Sequence, residues 1–193
     1  STNDALEVAP FLEHAHCVTL PSEKAVRCFD EIFTDNSINV YDAEFGDMVL
    51  DYLKSIDLDK RDTYRRELGI DDSTFVIHIG YNGSRAQNHI SILNQISKLD
   101  KKVKERIFVV CHVSYGVTNT DYLDELKKAA NEIECRYSIY DKFLNYDEMA
   151  KFRMSADCFV NAQETDDYSV SLLEYLYVGC HVINANWLQY ERL

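Results

Sequence analysis

The sequence of 193 residues has no apolar run near the roughly 20 residues that a membrane-spanning helix needs, and it is poor in basic side chains. Its 20 lysines and arginines stand against 33 aspartates and glutamates, which gives a formal net charge of −13. An acidic chain of this kind is a poor general binder of nucleic acid or anionic lipid. We therefore expect no nucleic-acid partner.

The sequence also lacks the cysteine pattern of a structural metal site. None of its six cysteines is spaced C-x-x-C, and none has a histidine at zinc-ligand spacing, so we expect no bound metal. Cys111, Cys158 and Cys180 lie in or beside apolar runs, which is typical of small core side chains in a reducing compartment. The expected location is the cytoplasm.

Short apolar runs alternate with helical periodicity from residue 75 onward. The runs begin near residues 75, 106, 135, 158 and 181, and between the first two Ile92, Leu93 and Ile96 recur at helical spacing. Because these strands are apolar on both faces, each face must be covered by helices. The alternation predicts the α/β class, with a Rossmann-like parallel sheet and helices on both faces.

Ligands of open parallel sheets bind beyond the carboxyl ends of the strands, so the segments that follow the strands are candidate sites. The first of them contains Asn82, Gly83 and Arg85. Glycine permits close approach of the backbone to a ligand, and arginine can fork onto a phosphate. Taken alone, the segment is more typical of an ordinary turn with a surface arginine.

A predicted helix that begins at Ser169 is the second candidate. The amides of Ser169, Val170 and Ser171 at its start would form an anion site. Acidic residues, among them Asp166, precede it. Their carboxylates would accept bonds from sugar hydroxyls, although acids near a helix start also complement the helix dipole.

Glu174 lies inside this same, almost wholly apolar helix. A charged carboxylate there is costly unless it is paired within the protein or bonded to a ligand. An internal salt bridge or an exposed stripe would explain it, but the spacing of seven residues between Asp166 and Glu174, across the helix start, favours a ligand. The order of acid, anion site and acid suits the ribose, phosphates and sugar of a nucleotide sugar.

Residues 166–182 read DDYSVSLLEYLYVGCHV, which resembles the E-P-F-G-x-x-x-x-E-A-x-x-x-G-x-P-V motif of GT-B glycosyltransferases in the GT4-like group (glycosyl transferases group 1). The likeness runs from about residue 16 to the end of the chain and implies the strand order 3-2-1-4-5. It further implies that residues 1–45 are the incomplete tail of the N-terminal domain and hinge. Residues 46–193 would be the nucleotide-sugar-binding domain, truncated at its C-terminus, so we expect a piece of a longer protein.

The resemblance also implies roles for individual residues. Asp166 and Glu174 would be the catalytic acids, with Asp166 touching the donor sugar and Glu174 the ribose. The remaining donor-binding residues would be Ser169, Val170 and Ser171 on the sugar or diphosphate, Asn82, Gly83 and Arg85 on the diphosphate, and Lys142 near the base. No metal and no cofactor besides the donor are implied.

Several positions depart from the motif. Asp166 stands in place of glutamate, Ser169 in place of glycine, and Tyr175 in place of a small residue. The arginine and lysine that the family places on the diphosphate are not both present: Arg85 can replace one, and Gln87 falls where a lysine is often found.

The implied function is transfer of a hexose from a nucleotide-diphosphate sugar to a lipid-linked or polysaccharide acceptor, with retention of configuration. The acceptor would bind through the N-terminal domain, the whole protein would make peripheral contact with the inner face of the membrane, and this piece alone would be inactive. A fainter likeness of residues 82–89 and 113–116 to lipid II Fuc4NAc transferases suggests bacterial surface glycan synthesis. The alternatives are a GT-B nucleotide-sugar 2-epimerase and a non-catalytic α/β binding module.

Overall fold

The computed structural model describes residues 10–12, 14–34, 38–43, 47–116, 120–166 and 169–190. The chain divides into two compact units, one of residues 1–46 with 189–193 and one of residues 47–188. None of the helices in the described ranges is both long enough and apolar enough to cross a lipid bilayer.

The described part of the first unit contains a two-stranded parallel ribbon with a helix between its strands. Strand β1 (Cys17–Leu20) pairs with β2 (Asn39–Asp42), and helix α1 (Glu23–Ile32) connects them. Ser22 caps the helix because its hydroxyl oxygen accepts a hydrogen bond from the amide of Ala25 at 3.0 Å.

The second unit is a five-stranded parallel sheet with helices on both faces. Its strands are β3 (Phe75–Ile79), β4 (Ile107–His112), β5 (Arg136–Tyr140), β6 (Cys158–Asn161) and β7 (His181–Asn184). Its helices are α2 (Met48–Ser55), α3 (Arg61–Glu67), α4 (His89–Ile96), α5 (Lys101–Lys104), α6 (Thr120–Asn131), α7 (Tyr146–Ser155) and α8 (Val170–Tyr177). The strand order is β5-β4-β3-β6-β7 with every pair parallel, so the predicted Rossmann-like α/β fold and strand order are confirmed.

The two faces of the sheet carry separate apolar clusters. On one face Ile79, Val109 and Cys111 pack with the apolar sides of α4 and α6. On the other face Val76 and Val110 pack with Phe152 of α7, together with Ile70 and Leu144. Both faces are covered, as strands with apolar residues on both faces require.

Asp157, immediately before β6, pairs with two arginines near the amino end of the sheet. Its Oδ1 lies 2.5 Å from Nη2 of Arg61, and its Oδ2 lies 2.8 Å from Nη1 of Arg65 and 2.7 Å from the amide nitrogen of Val76. Arg65 is only 3% exposed and also donates to two backbone carbonyls. These bonds join α3 to β3 and β6.

Burial raises the pKa of the Asp157 carboxyl, but the hydrogen bonds from Val76, Arg65 and Arg61 outweigh burial and leave the pKa below its usual value. A carboxyl whose pKa is lowered by folding stabilises the protein above the pKa of the unfolded chain. That stabilisation is lost as the pH falls through the folded pKa.

We expect Asp157→Asn to lower the free energy of unfolding at pH 7 by about 2 kcal/mol, less than for a fully buried pair because the carboxylate is partly exposed. The difference in the free energy of unfolding between the variant and wild type should narrow only below about pH 4, where the wild-type carboxyl is protonated in the unfolded chain. Urea unfolding at pH 7 and pH 3 measures both effects. Asp72→Asn, on an exposed turn, is the matched control, and a variant of Asp157 that is as stable as wild type at pH 7 would contradict the assignment.

Candidate functional site

A crevice for a ligand is expected where the strand order of a parallel sheet reverses. Here that point lies between β3 and β6, because the chain runs outward from β3 through β4 to β5 and returns to β6 on the other side of β3. The segments at residues 80–88 and 162–166 and the start of α8 follow these two strands. They contain most of the predicted donor-binding residues.

The turn after β3 is tight because the backbone passes close to a buried histidine. Gly80 has φ +65°, and a Cβ placed there would lie 2.1 Å from Nε2 of His89. His89 is fully buried, and its Nδ1 lies 2.9 Å from the hydroxyl of Tyr122. Only glycine fits both the left-handed conformation and the contact.

Asn82 and Gly83 lie in this turn, where their polar groups bond within the protein. Oδ1 of Asn82 accepts a hydrogen bond from the amide of Ser84 at 2.9 Å. The amide of Gly83 donates to the carbonyl oxygen of Tyr115 at 2.5 Å. The segments after β3 and β4 are therefore tied to each other.

Arg85 forms a two-pronged ion pair with Glu125 of α6. Both guanidinium–carboxylate distances are 2.7 Å, and the guanidinium carbon lies 4.7 Å from the centre of the Tyr122 ring. The guanidinium of Arg85, which the sequence assigns to a phosphate, is thus bonded to a carboxylate, although the side chain remains half exposed.

Lys142 is exposed after the edge strand β5. Strands β4 and β3 separate β5 from β6. The structure therefore does not bring Lys142 together with Asp166, and a contact between this lysine and the base remains a prediction.

Helix α8 begins as the sequence predicted. Ser169 is its N-cap, with φ −102°, and its Oγ accepts a hydrogen bond from the amide of Leu172 at 3.3 Å. The amide groups at the start of a helix have no acceptor within the helix. Those of Val170 and Ser171 belong to this first turn. Asp166 lies just before the helix and accepts a hydrogen bond from Nε2 of Gln163 at Oδ2.

Glu174 is buried and has a partner inside the protein. Its Oε2 lies 2.5 Å from Nε of Arg153 in α7, and 3% of Glu174 and 2% of Arg153 are exposed. The alternative of an internal salt bridge is therefore the arrangement found. The apolar sequence around Glu174 does not by itself require a ligand, and its predicted contact with ribose stays a prediction.

Burial raises the pKa of the Glu174 carboxyl, while the charge and hydrogen bond of Arg153 lower it, and the net pKa lies above its usual value. Arg153 uses its other nitrogens as well. Nη1 donates to the hydroxyl of Tyr175 at 2.8 Å and Nη2 donates to Oγ of Ser171 at 3.1 Å. The salt bridge therefore reaches the first turn of α8.

The network continues to a buried histidine of β3. Because arginine can only donate, the Tyr175 hydroxyl accepts from Arg153 and gives its own proton to Nδ1 of His78, 2.8 Å away. The remaining proton of His78 is then on Nε2, which faces Ser155 at 3.4 Å. Burial, followed by the nearby charge of Arg153, lowers the pKa of His78 well below its usual value, so the ring is neutral.

Sequence reasoning missed Arg153 and Gln163. The signal for Arg153 is a single basic residue between Phe152 and Met154, in a helix that must cover the sheet. A base flanked by apolar residues in one core helix and an acid in an apolar stretch of another are a candidate pair. Among the described residues, no cluster of three or more histidines, cysteines or acids could hold a metal ion.

No protein-family model matches the sequence, and no curated protein sequence matches it. Solved structures do match. One is WaaG, a glycosyltransferase involved in lipopolysaccharide biosynthesis, with 12% identity and a TM-score of 0.71 over 90% of this chain and 45% of that chain. Another is Anabaena Alr3699/HepE in complex with UDP and glucose, with 14% identity and a TM-score of 0.72 over 96% of this chain and 49% of that chain.

A third match is the C-terminal domain of LpcC, a glycosyl transferase group 1 family protein from Francisella tularensis. It is 17% identical with a TM-score of 0.53, over 67% of this chain and 69% of that chain. The present chain thus spans about half the length of WaaG and HepE. At these identities the likeness establishes the fold, and the predicted resemblance to the C-terminal domain of GT-B glycosyltransferases is confirmed at that level.

We expect Glu174→Gln to lower the free energy of unfolding by about 3 kcal/mol, because it leaves the guanidinium of Arg153 buried without its counter-charge. The matched control is Glu125→Gln, which removes the same charge from the exposed pair with Arg85 and should have a much smaller effect. Urea unfolding at pH 7 measures both. If Glu174→Gln unfolds at the wild-type urea concentration, the salt bridge does not support the fold.

Proposed function

We propose that the chain is the donor-binding part of a glycosyltransferase and holds a nucleotide-diphosphate sugar beyond the carboxyl ends of β3 and β6. The observation that carries this proposal is the placement of Asp166 and the first turn of α8 together at the reversal of strand order. HepE, which has the same fold and about twice the length, was solved with UDP and glucose.

In this proposal the first turn of α8 binds the diphosphate. The amides of Ser169, Val170 and Ser171 supply donors, and the positive end of the helix dipole favours negative charge there. Contribution from Arg85 would require its guanidinium to leave Glu125. The helix start is therefore the main phosphate contact.

The acids then bind the two ends of the donor. Asp166 accepts hydrogen bonds from hydroxyls of the transferred sugar. Glu174 accepts from the ribose with the carboxylate that Arg153 orients, and Lys142 lies toward the base. Asn82 and Gly83 shape the wall of the crevice opposite α8 through their bonds to neighbouring backbone.

The reaction is transfer of a hexose with retention, helped by orientation of the donor and by stabilisation of charge on the leaving diphosphate. The acceptor, a lipid-linked or polysaccharide glycan of the bacterial surface, binds to an N-terminal domain of the whole protein. That protein acts in the cytoplasm at the inner face of the membrane. A sugar-transfer product from the whole protein would separate this function from epimerisation.

Titration of the chain with UDP, GDP, TDP and their hexose derivatives, by calorimetry, tests donor binding. We expect one base to be preferred and its nucleotide sugar to bind more tightly than the nucleotide diphosphate. Asp166→Asn should weaken binding of the nucleotide sugar about tenfold, because it removes a hydrogen bond to a charged group, and should leave the diphosphate unaffected.

Glu164→Gln is the matched control, since it removes a charge from an exposed acid near Asp166 without a proposed contact. Its affinities should equal those of wild type. Absence of binding by every member of the panel, or an Asp166 variant that binds the nucleotide sugar normally, would overturn the proposed donor site.

A further inference from the structure

Gln163 lies two residues beyond the end of β6 and is buried, with 3% of its surface exposed. Its Oε1 accepts hydrogen bonds from Nε2 of Gln87 at 2.8 Å and from the hydroxyl of Tyr81 at 2.9 Å. Its Nε2 donates to Oδ2 of Asp166. One buried amide thus connects the turn after β3 to the acid that the proposed function places on the donor sugar.

The direction of these bonds is set by a backbone group. The amide of Tyr81 can only donate, and it donates to Oε1 of Gln87 at 3.2 Å. Gln87 must then turn Nε2 toward Gln163, which must turn Oε1 toward Gln87 and Nε2 toward Asp166. Reversal of either side chain would set like groups against each other in a buried place, at the cost of unmade hydrogen bonds.

The two segments stay joined without the side chain of Gln163. Three further hydrogen bonds hold residues 162–164 in place: Glu164 N to Ala86 O at 2.8 Å, Asn88 Nδ2 to Ala162 O at 2.8 Å, and Trp187 Nε1 to Gln163 O at 2.9 Å. The amide of Gln163 therefore contributes chiefly to the orientation of Asp166, since the backbone is held by other groups.

Gln87 explains why this arrangement differs from the resembled motif. It falls where that family often has a lysine, yet it is only 3% exposed and bonds to Gln163. A lysine ammonium can only donate and could not accept from the Tyr81 amide. In this chain the residue at position 87 helps to orient a carboxylate, instead of neutralising the charge of a phosphate.

We infer that Gln163 is a positioning residue for recognition of the donor sugar and acts through Asp166. It holds Oδ2 and so sets the rotation of the carboxylate, while Gln87 and Tyr81 fix Gln163 in turn. The inference rests on the proposed function, because Asp166 must touch the sugar for its orientation to affect binding.

Gln163→Glu tests this with almost no change of shape. The introduced carboxyl keeps an oxygen for Gln87 and Tyr81, but it replaces the donor to Asp166 by a second acid. Two adjacent carboxyls hold one proton between them at low pH, and that shared proton restores the hydrogen bond. As the pH rises through the raised pKa, both become charged and repel each other.

We therefore expect the affinity of Gln163→Glu for UDP-glucose, relative to wild type at the same pH, to be nearly normal at about pH 5 and about tenfold lower at about pH 8. Affinity for UDP should match wild type throughout. The corresponding GDP or TDP pair replaces these probes if the panel selects another base. Gln95→Glu, the same substitution on the exposed side of α4, should follow wild type at every pH.

Gln163→Met removes the donor without adding charge, so its loss of UDP-glucose affinity should be similar at all pH values. That loss should vanish when Asp166→Asn is already present, since both changes act through one contact. Melting curves of each variant verify that the protein compared is folded.

The outcomes separate the two proposals. Recovery of the affinity of Gln163→Glu for UDP-glucose at low pH supports the inference. An unchanged affinity at all pH values, or an equal loss of UDP and UDP-glucose that does not depend on pH, overturns it while the donor site stands. If Asp166→Asn itself leaves UDP-glucose binding unchanged, the proposed function fails and this inference fails with it.

Discussion

The salt bridge between Arg153 and Glu174 is the interaction on which the candidate site depends. Both charges are almost fully buried. The free-energy cost of removing two charges from water is offset only when the pair has good geometry and complete hydrogen bonding. Arg153 meets that condition by donating to Ser171 and Tyr175 as well. Because these partners lie on α8 and the arginine lies on α7, the position and rotation of α8 follow from the pair.

Two separate polar networks position the residues at the start of α8, one just before the helix and one within its first turn. Gln163 binds Asp166 before the helix, and Arg153 binds Ser171 within its first turn. Each begins at a group that can only donate, the Tyr81 amide in one and the Arg153 guanidinium in the other, so the direction of every later bond is determined. Such networks specify a single arrangement because a reversed side chain would leave buried groups unsatisfied.

The sheet could be predicted from the sequence because its signals are local. The runs at β3, β4 and β6 are mostly apolar, with one polar residue in each. Helix α4 has clear helical periodicity, so each of these elements can be recognised by itself. Helix α2 is harder to recognise, because its boundary depends on the cap formed by Asp47. The partner of Glu174 could not be chosen from sequence either, because it depends on how α7 and α8 pack.

Long-range pairing also decides how the side chains at the two positions expected on the diphosphate are used. Arg85 has a residue type that suits a diphosphate, and Gln87 falls where the resembled family often has a lysine. Glu125, 40 residues later, pairs with Arg85, and Gln163, 76 residues later, bonds to Gln87. Neither partner is visible from the local motif. Because both side chains are engaged within the protein and the net charge is −13, the proposed binding of a diphosphate depends mainly on the amides of α8. An anion site made of amides acts through short, directional hydrogen bonds, so in the proposed site the geometry of Asp166 and of the first turn of α8 matters more to donor binding than the overall charge.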